Sequence, residues 1–188
     1  METDEAALLL ELLNSRPVSG GVERDRFADE GELRAWARAH DGSGTAREAE
    51  RLRTVREGLA QVIRGERGAR ALAPALEGAA RVPELGDTGV SWRLTAPPDA
   101  ALAARIVLAW ARIEEELPGR LRPCGNEECR LFLLDRSRAG RARWCSMAAC
   151  GNRLKARRHY ERARAPRGAV PRQAAPARGE RDRRGPER

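Results

Sequence analysis

The chain has 188 residues, of which 41% are hydrophobic and 34% charged, and its formal net charge is +8. It lacks the run of about eighteen apolar residues that a membrane-spanning helix needs, and its acidic N-terminus is not expected to act as a secretory signal. The length predicts one domain, or one domain with a small satellite. The expected compartment is the cytosol, where paired cysteines more often hold metal than form disulfides.

The charge is spread unevenly along the chain. Residues 1–119 hold 16 arginines against 21 acidic residues, a net charge of −5. Residues 120–188 hold 19 arginines and one lysine against 7 acidic residues, a net charge of +13. Codon bias explains a preference for arginine over lysine, but not this asymmetry, since one gene encodes both halves. A strongly basic segment beside an acidic one indicates a module that binds a polyanion.

Helical periodicity dominates the N-terminal part of the chain. Apolar residues at helical spacing predict a first helix that ends near Asn14. Two further helices begin with a capping residue and a glutamate three positions on, the spacing of a capping box: Asp29 with Glu32, and Thr45 with Glu48. Their predicted inner faces comprise Leu33, Trp36 and Ala37 on the first, and Leu52, Val55, Leu59, Val62 and Ile63 on the second.

The pattern changes at "RVPELGDTGVSWRLT", which predicts a β-hairpin with "VSWRLT" as its better strand. A last helix is then predicted, with Asp99 as its cap and Pro118 at its end. Its predicted inner face comprises Leu102, Ile106, Ala109, Trp110, Ile113 and Leu117. The expected fold class is therefore α+β, with a mostly helical N-terminal domain that contains one β-hairpin.

All four cysteines lie in the stretch "CGNEECRLFLLDRSRAGRARWCSMAAC". Cys124 and Cys129 are separated by four residues, as are Cys145 and Cys150, and fifteen residues lie between the pairs. Each close pair places two thiolates on one turn, so two pairs supply the tetrahedral S₄ site that suits zinc. Two disulfides, buried cysteines without a ligand and an iron–sulfur cluster are the alternatives.

The fifteen-residue spacer is predicted to form a hairpin, with "RLFLLD" as one strand, "RSRAG" as the turn and "RARWC" as the return strand. Ser146 is predicted to cap a helix that carries the last cysteine. A knuckle, a hairpin and then a basic helix resemble a treble-clef zinc finger. A unit of about forty residues buries too little core to fold alone, so metal binding is expected to supply its folding energy.

The sequence is not expected to be that of an enzyme. Four thiolates close a zinc site, whereas catalytic zinc keeps a position open. The two histidines, His40 and His159, lie on different predicted helices, and we find no nucleophile–base pair and no glycine-rich phosphate loop.

The run Cys150-Gly151-Asn152-Arg153 ends a stretch that resembles the CGNR zinc finger. In that family the finger follows an ABATE domain of stress-induced transcription regulators, and "LLNSR", "ELRAWARAH" and "SWRL" fit that domain. The resemblance covers about residues 5–163. It implies that Cys124, Cys129, Cys145 and Cys150 bind one structural zinc ion, and that the basic residues around them bind DNA.

The predicted domains are an ABATE-like domain at 1–119, a CGNR-type Cys₄ finger at 120–164 and a disordered basic tail at 165–188. The helix after the last cysteine is basic on most faces, so it is either solvated or lies against a polyanion. Arginine fits both phosphate and the guanine edge. The predicted nucleic-acid-binding residues are Asn152, Arg153, Lys155, Arg157, Arg158 and Arg162 on the helix, and Arg138, Arg141 and Arg143 on the spacer.

These features predict a cytoplasmic, nucleoid-associated transcription regulator whose partner is duplex DNA. The N-terminal domain is expected to serve sensing, with an unknown effector, or dimerisation as a homodimer. A zinc-stabilised protein-interaction module and an RNA-binding protein are the alternatives.

Overall fold

A computed structural model describes residues 3–19, 21–156 and 160. Four α-helices make up most of the N-terminal region, as the sequence predicts. They are α1 (Thr3–Leu13), α2 (Glu30–Ala39), α3 (Ala46–Ile63) and α4 (Pro98–Glu116), with a 3₁₀ helix at Ala69–Leu76. Within the described ranges, none of the helices combines the length and hydropathy needed to span a membrane.

The described strands form three antiparallel pairs. They are β1 (Val18–Ser19) with β2 (Val22–Glu23), β3 (Ala80–Gly86) with β4 (Gly89–Thr95), and β5 (Leu121–Pro123) with β6 (Phe132–Leu134). The fold is the expected α+β class, with a mostly helical N-terminal region, small hairpins and a C-terminal cysteine cluster. The predicted tail, residues 165–188, lies outside the described residues.

The helices enclose one hydrophobic core, in which α3 contacts α1, α2 and α4. The predicted inner faces of α2, α3 and α4 are largely buried; Val62, Ile63 and Trp110 are partly buried and pack against this core. Burying each large aliphatic side chain stabilises the fold by roughly 1.5–3 kcal/mol. The fully buried ones include Leu9, Leu12, Leu33, Leu52, Leu59, Leu102, Ile106 and Ile113.

The predicted N-caps of α2 and α3 are confirmed. The Asp29 carboxylate accepts a hydrogen bond from Glu32 N at 2.9 Å, and Thr45 Oγ1 accepts one from Glu48 N at 3.1 Å. Glu48 itself is fully buried, and its Oε2 accepts from the Gly44 backbone N–H at 2.6 Å. Its carboxylate therefore satisfies a donor of the loop before α3.

The predicted cap of α4 is wrong. This helix begins at Pro98 after Pro97, and Asp99 lies in its first turn. Proline suits that first position because its fixed φ is helical and it has no N–H to satisfy. The Asp99 carboxylate instead accepts a hydrogen bond from Thr45 Oγ1 at 2.7 Å, and thereby joins the starts of α3 and α4.

The β5–β6 pair lies against the helical core. Leu121 and Phe132 are buried members of the same hydrophobic cluster as the helices. The side-chain amide of Asn14, just after α1, forms two hydrogen bonds with the backbone of Phe132. Phe132 N donates to Asn14 Oδ1 at 2.7 Å, and Asn14 Nδ2 donates to Phe132 O at 3.1 Å. The Arg64 guanidinium lies 4.8 Å from the centre of the Phe132 ring. These contacts attach the cysteine-rich unit to the N-terminal region.

Candidate metal centre and basic surface

The four cysteines converge on one point. Their Sγ atoms all lie within 4.8 Å of one another. Cys145 Sγ is 3.8 Å from Cys129 Sγ and 3.7 Å from Cys150 Sγ. All four thiols are free. These separations exclude the disulfide alternative, because a sulfur–sulfur bond is about 2.05 Å long.

The chain brings the first pair together on a turn between two strands. Cys124 directly follows β5, and its N–H donates to Leu131 O at 2.8 Å. Cys129 N then donates to Asn126 O at 2.8 Å and closes the turn. Both cysteines therefore lie on the loop, residues 124–131, that joins β5 to β6.

The second pair lies at a helix start, as predicted. Ser146 caps a π-helical turn at Met147–Gly151, and its Oγ accepts from Ala149 N at 2.9 Å. Helical residues 152–156 continue that turn, and we call the whole segment, 147–156, the finger helix. Cys145 precedes the cap, and Cys150 lies on the buried side of the first turn.

This geometry fits a zinc ion. Zinc–sulfur bonds of about 2.3 Å arranged tetrahedrally set neighbouring sulfurs roughly 3.8 Å apart. The observed separations of 3.7 and 3.8 Å match that value. An iron–sulfur cluster spreads its thiolates around a core of several atoms, so they stand farther apart. Four thiolates around one position leave no site open for substrate, and the ion is therefore structural.

Two hydrogen bonds to sulfur support the site from outside. Asn126, which is buried, donates from Nδ2 to Cys150 Sγ at 3.6 Å, and its Oδ1 accepts from Glu128 N at 3.3 Å. The Cys145 backbone N–H donates to Cys124 Sγ at 3.4 Å. Such donors orient the ligands and stabilise thiolate charge.

Burial raises the pKa of the Cys129 thiol to about 11, and it also raises the pKa of Cys145. Burial acts in the same direction at Cys150, but hydrogen bonds from Asn126 and the neighbouring thiols outweigh it and lower the pKa of that group. Because zinc binds thiolates, its binding must release the protons that burial retains. Metal affinity is therefore expected to fall as the pH falls.

Comparison with known families agrees with this geometry. Residues 6–116 match the model of the ABATE domain, described as "Putative stress-induced transcription regulator". The chain belongs to the ABATE family. Residues 120–163 match the model of the CGNR zinc finger, so the four cysteines fit the one structural zinc ion of that finger. Both families are of the regulatory zinc-finger type rather than enzymatic. A comparison with curated proteins gives no match.

The glycines that follow Cys124 and Cys150 are closely packed. A Cβ on Gly151 of the CGNR run would lie 2.6 Å from Met147 Sδ and 3.3 Å from the Trp144 ring. A Cβ on Gly125 would lie 3.0 Å from Arg143 O, which accepts a hydrogen bond from Gly125 N. The Trp144 ring, which would also lie 3.4 Å from the Cβ on Gly125, thus lies between the loop of the first cysteine pair and the finger helix.

The predicted hairpin inside the spacer is wrong. Strand β6 forms from "FLL", but it pairs with β5, which precedes the first cysteine, in the register Leu121↔Leu134 to Pro123↔Phe132. Residues 141–145 form no strand. The hairpin of the finger therefore surrounds the first cysteine pair, and the spacer after β6 is a loop.

Asp135 holds that loop closed. Its buried carboxylate accepts from Ser137 N at 2.9 Å and from Ala142 N at 2.9 Å. Arg122 Nη2 donates to it at 2.6 Å and also to Ala142 O at 2.7 Å. Hydrogen bonds from Ser137 lower the pKa of Asp135, and Ala142 and Arg122 act in the same direction. Together they outweigh burial, which raises that pKa. Ala142 thus gives its N–H to a carboxylate, and this contact holds residues 135–142 as a loop.

The basic side chains lie on the outside of the finger. The exposed residues of the loop include the predicted Arg138, Arg141 and Arg143, together with Arg136. Asn152, Arg153 and Lys155 are exposed on the finger helix. The predicted residues Arg157, Arg158 and Arg162 lie outside the described residues. Sequence reasoning missed Asn126 and Asp135, which shape the finger from within.

Proposed function

We propose that this ABATE-family protein is a DNA-binding transcription regulator, whose zinc finger presents its basic helix and loop to duplex DNA. The N-terminal domain, proposed to span residues 1–119, serves sensing or dimerisation. The finger, at 120–164, carries the DNA contacts, and the protein acts in the cytoplasm on the nucleoid. The family's description as a transcription regulator supports a DNA partner.

The main support for the proposal is the set of exposed arginines on the finger. Asp135 is the only acidic residue between Arg130 and Tyr160, and it is buried under the arginine loop. The exposed surface of the loop is thus dominated by arginines, as a phosphate-binding surface requires, and the nearest acidic residues, Glu127 and Glu128, line a groove beside Arg143. Residues 120–188 carry a net charge of +13, which adds long-range attraction to a polyanion.

We assign different roles to the two exposed sets. Arg138, Arg141 and Arg143 lie on a loop held by internal hydrogen bonds, and they contact backbone phosphate. Asn152 and Arg153 directly follow the first turn of the finger helix and face the groove, where the asparagine amide can pair with adenine and the arginine with guanine. Lys155 lies on the same helix, and Lys155, Arg157, Arg158 and Arg162 add further basic contacts to the DNA.

Salt dependence of binding tests the proposal. Fluorescence anisotropy with a labelled duplex is measured over a range of salt concentrations on the full-length, zinc-loaded protein. Contacts to roughly six phosphates predict a slope of log K against log salt near −5. Replacing Arg138, Arg141 and Arg143 together with Gln removes three contacts and makes the slope shallower by about 3.

A matched control separates the basic surface from total charge. Arg47, Arg67 and Arg70 are exposed on the N-terminal domain, and their replacement by Gln changes the net charge equally. The control variant is expected to keep the wild-type slope. An unchanged slope in the loop variant, or an equal change in both variants, sinks the assignment. Single-stranded DNA and RNA are titrated in parallel, and tighter binding to RNA favours the RNA-binding alternative.

A further inference from the structure

The β3–β4 hairpin carries a row of apolar side chains on one face. The register pairs Pro83 with Trp92 and Leu85 with Val90, which places these four on the same side. Leu85 is 88% exposed, Trp92 63% and Val90 58%. Single exposed apolar residues are ordinary, but a contiguous row marks a contact surface.

The backbone of the hairpin leaves one edge ready for pairing. Gly86 and Gly89 flank a two-residue turn and form its hydrogen-bonded pair, after which hydrogen-bonded and open pairs alternate. Val90 and Trp92 therefore point their N–H and C=O groups outward from β4. At the equivalent position of β3 stands Pro83, which has no N–H to donate. The β4 edge is the one that can accept another strand.

A groove lies at the base of the same face. It has a volume of about 440 Å³ and is lined by Trp92 and Leu94 of the hairpin and by residues of α1 and α4. Three arginines of its lining, Arg81, Arg105 and Arg112, outnumber the one acidic residue, Glu5, which pairs with Arg112 at 3.7 Å. The groove is therefore cationic on balance, and Leu108 gives it an apolar floor. The tip of the hairpin is chemically complementary, because exposed Asp87 lies beside Leu85.

We propose that two copies of the chain pair through β4 to form a four-stranded antiparallel sheet. Full overlap of Gly89–Thr95 with its own copy sets Trp92 opposite Trp92 of the partner at the two-fold axis. The same register sets Val90 opposite the partner's Leu94, so each tip reaches the partner's groove. Asp87 then approaches the partner's Arg105 and Arg112.

The hairpin is open to a second copy. Both strands are exposed over most of their length, so the β4 edge, one face and the groove can all contact a partner. The second copy is the preferred occupant because β4 is self-complementary when antiparallel, and because tip and groove carry opposite charges. The inference deepens the dimerisation part of the proposed function and rests on it for its biological use.

Sedimentation equilibrium on the full-length, zinc-loaded protein tests the dimer. The wild type is expected at twice the chain mass of 20.7 kDa. Trp92→Glu and Leu85→Asp each place a carboxylate in the interface and are expected to raise the dimer dissociation constant at least about tenfold. Asp87→Arg is expected to weaken the dimer in the same direction. Circular dichroism and zinc content, unchanged in each variant, show that the fold is intact.

Val22→Asp is the matched control, since Val22 is 60% exposed on β2, away from the hairpin. It is expected to leave the dimer intact. A wild type that is monomeric at about 100 µM, where even weak specific dimers form, overturns the proposal. So does a Trp92→Glu variant that dimerises like the wild type, or equal weakening by Val22→Asp. A monomer that still binds duplex DNA with the predicted salt slope overturns the dimer alone and leaves the DNA-binding proposal standing.

Discussion

Asn126 shows how a residue that is not a ligand can decide the strength of a metal site. Its side chain is buried, donates to Cys150 Sγ and accepts from the backbone N–H of Glu128. The first contact stabilises a thiolate and the second shapes the loop between the first two cysteines. Both are lost together when the amide is removed.

We therefore expect Asn126→Ala to weaken zinc binding by about 10- to 100-fold, the usual effect of removing a hydrogen-bonded partner of a metal ligand. Competition with a chromogenic chelator measures the change. Asn152→Ala is the matched control, because Asn152 is an exposed asparagine of the same finger. It should keep wild-type zinc affinity and lose affinity for DNA. Equal zinc affinity in both variants contradicts the role given to Asn126.

At this scale the sequence predicts residues whose role follows from spacing. The cysteine pairs and the caps Asp29 and Thr45 are local patterns, and they hold in the structure. The prediction of Asp99 as a cap is wrong, because Pro97 and Pro98 start the helix before it. The sequence also marks Asp135, because an isolated acidic residue in a basic stretch indicates a carboxylate that organises its neighbours.

At the scale of helices and strands, the decisive contact is the junction between α1 and β6. Asn14 gives both its donor and its acceptor to the backbone of Phe132, much as a neighbouring strand does. Arg64 of the α3 C-terminus covers the Phe132 ring, and Phe132 is itself buried in the helical core. The finger is thus attached through its hairpin, and the finger helix is free to face a partner.

Asn14→Ala is expected to lower the free energy of unfolding by about 2 kcal/mol, because the Phe132 N–H loses its acceptor in a partly buried place. Urea denaturation followed by circular dichroism measures the loss. Hydrogen exchange at Phe132 should rise as well. Thr54→Ala, on the exposed side of α3, serves as the control and should change stability by less than about 0.5 kcal/mol. Wild-type stability in Asn14→Ala means that the junction is held by apolar contacts alone.

The element that sequence reasoning misplaced shows the limit of local patterns. The predicted strand "RLFLLD" contains β6, which forms from "FLL", but the spacer alone does not reveal its partner. Strand pairing depends on non-local hydrogen bonds, and here β5, eleven positions before β6, competes successfully with residues 141–145. The deciding interaction is the buried Asp135 carboxylate, which takes the Ala142 N–H out of any ladder.

At the scale of the whole molecule, the zinc finger and the helical region share part of one hydrophobic core. Most of the apolar core lies in α1 to α4, so the helical region has a core of its own without metal. Yet Leu121 and Phe132, on either side of the first cysteine pair, belong to the same cluster. Loss of the metal should therefore reach the helices through these two side chains.

Removing zinc with a chelator is expected to lower the melting temperature of the helical region without unfolding it at room temperature. Freed Phe132 leaves part of the core unpacked, at a cost of roughly 3 kcal/mol, which corresponds to a shift on the order of 10 °C for a protein of this size. Thermal melts followed at 222 nm measure the shift, and readdition of zinc should reverse it. Cys145→Ser, treated identically, is the control: it should melt at the lower temperature with or without the chelator. A melting temperature that does not respond to zinc contradicts the shared core and makes the finger an independent unit.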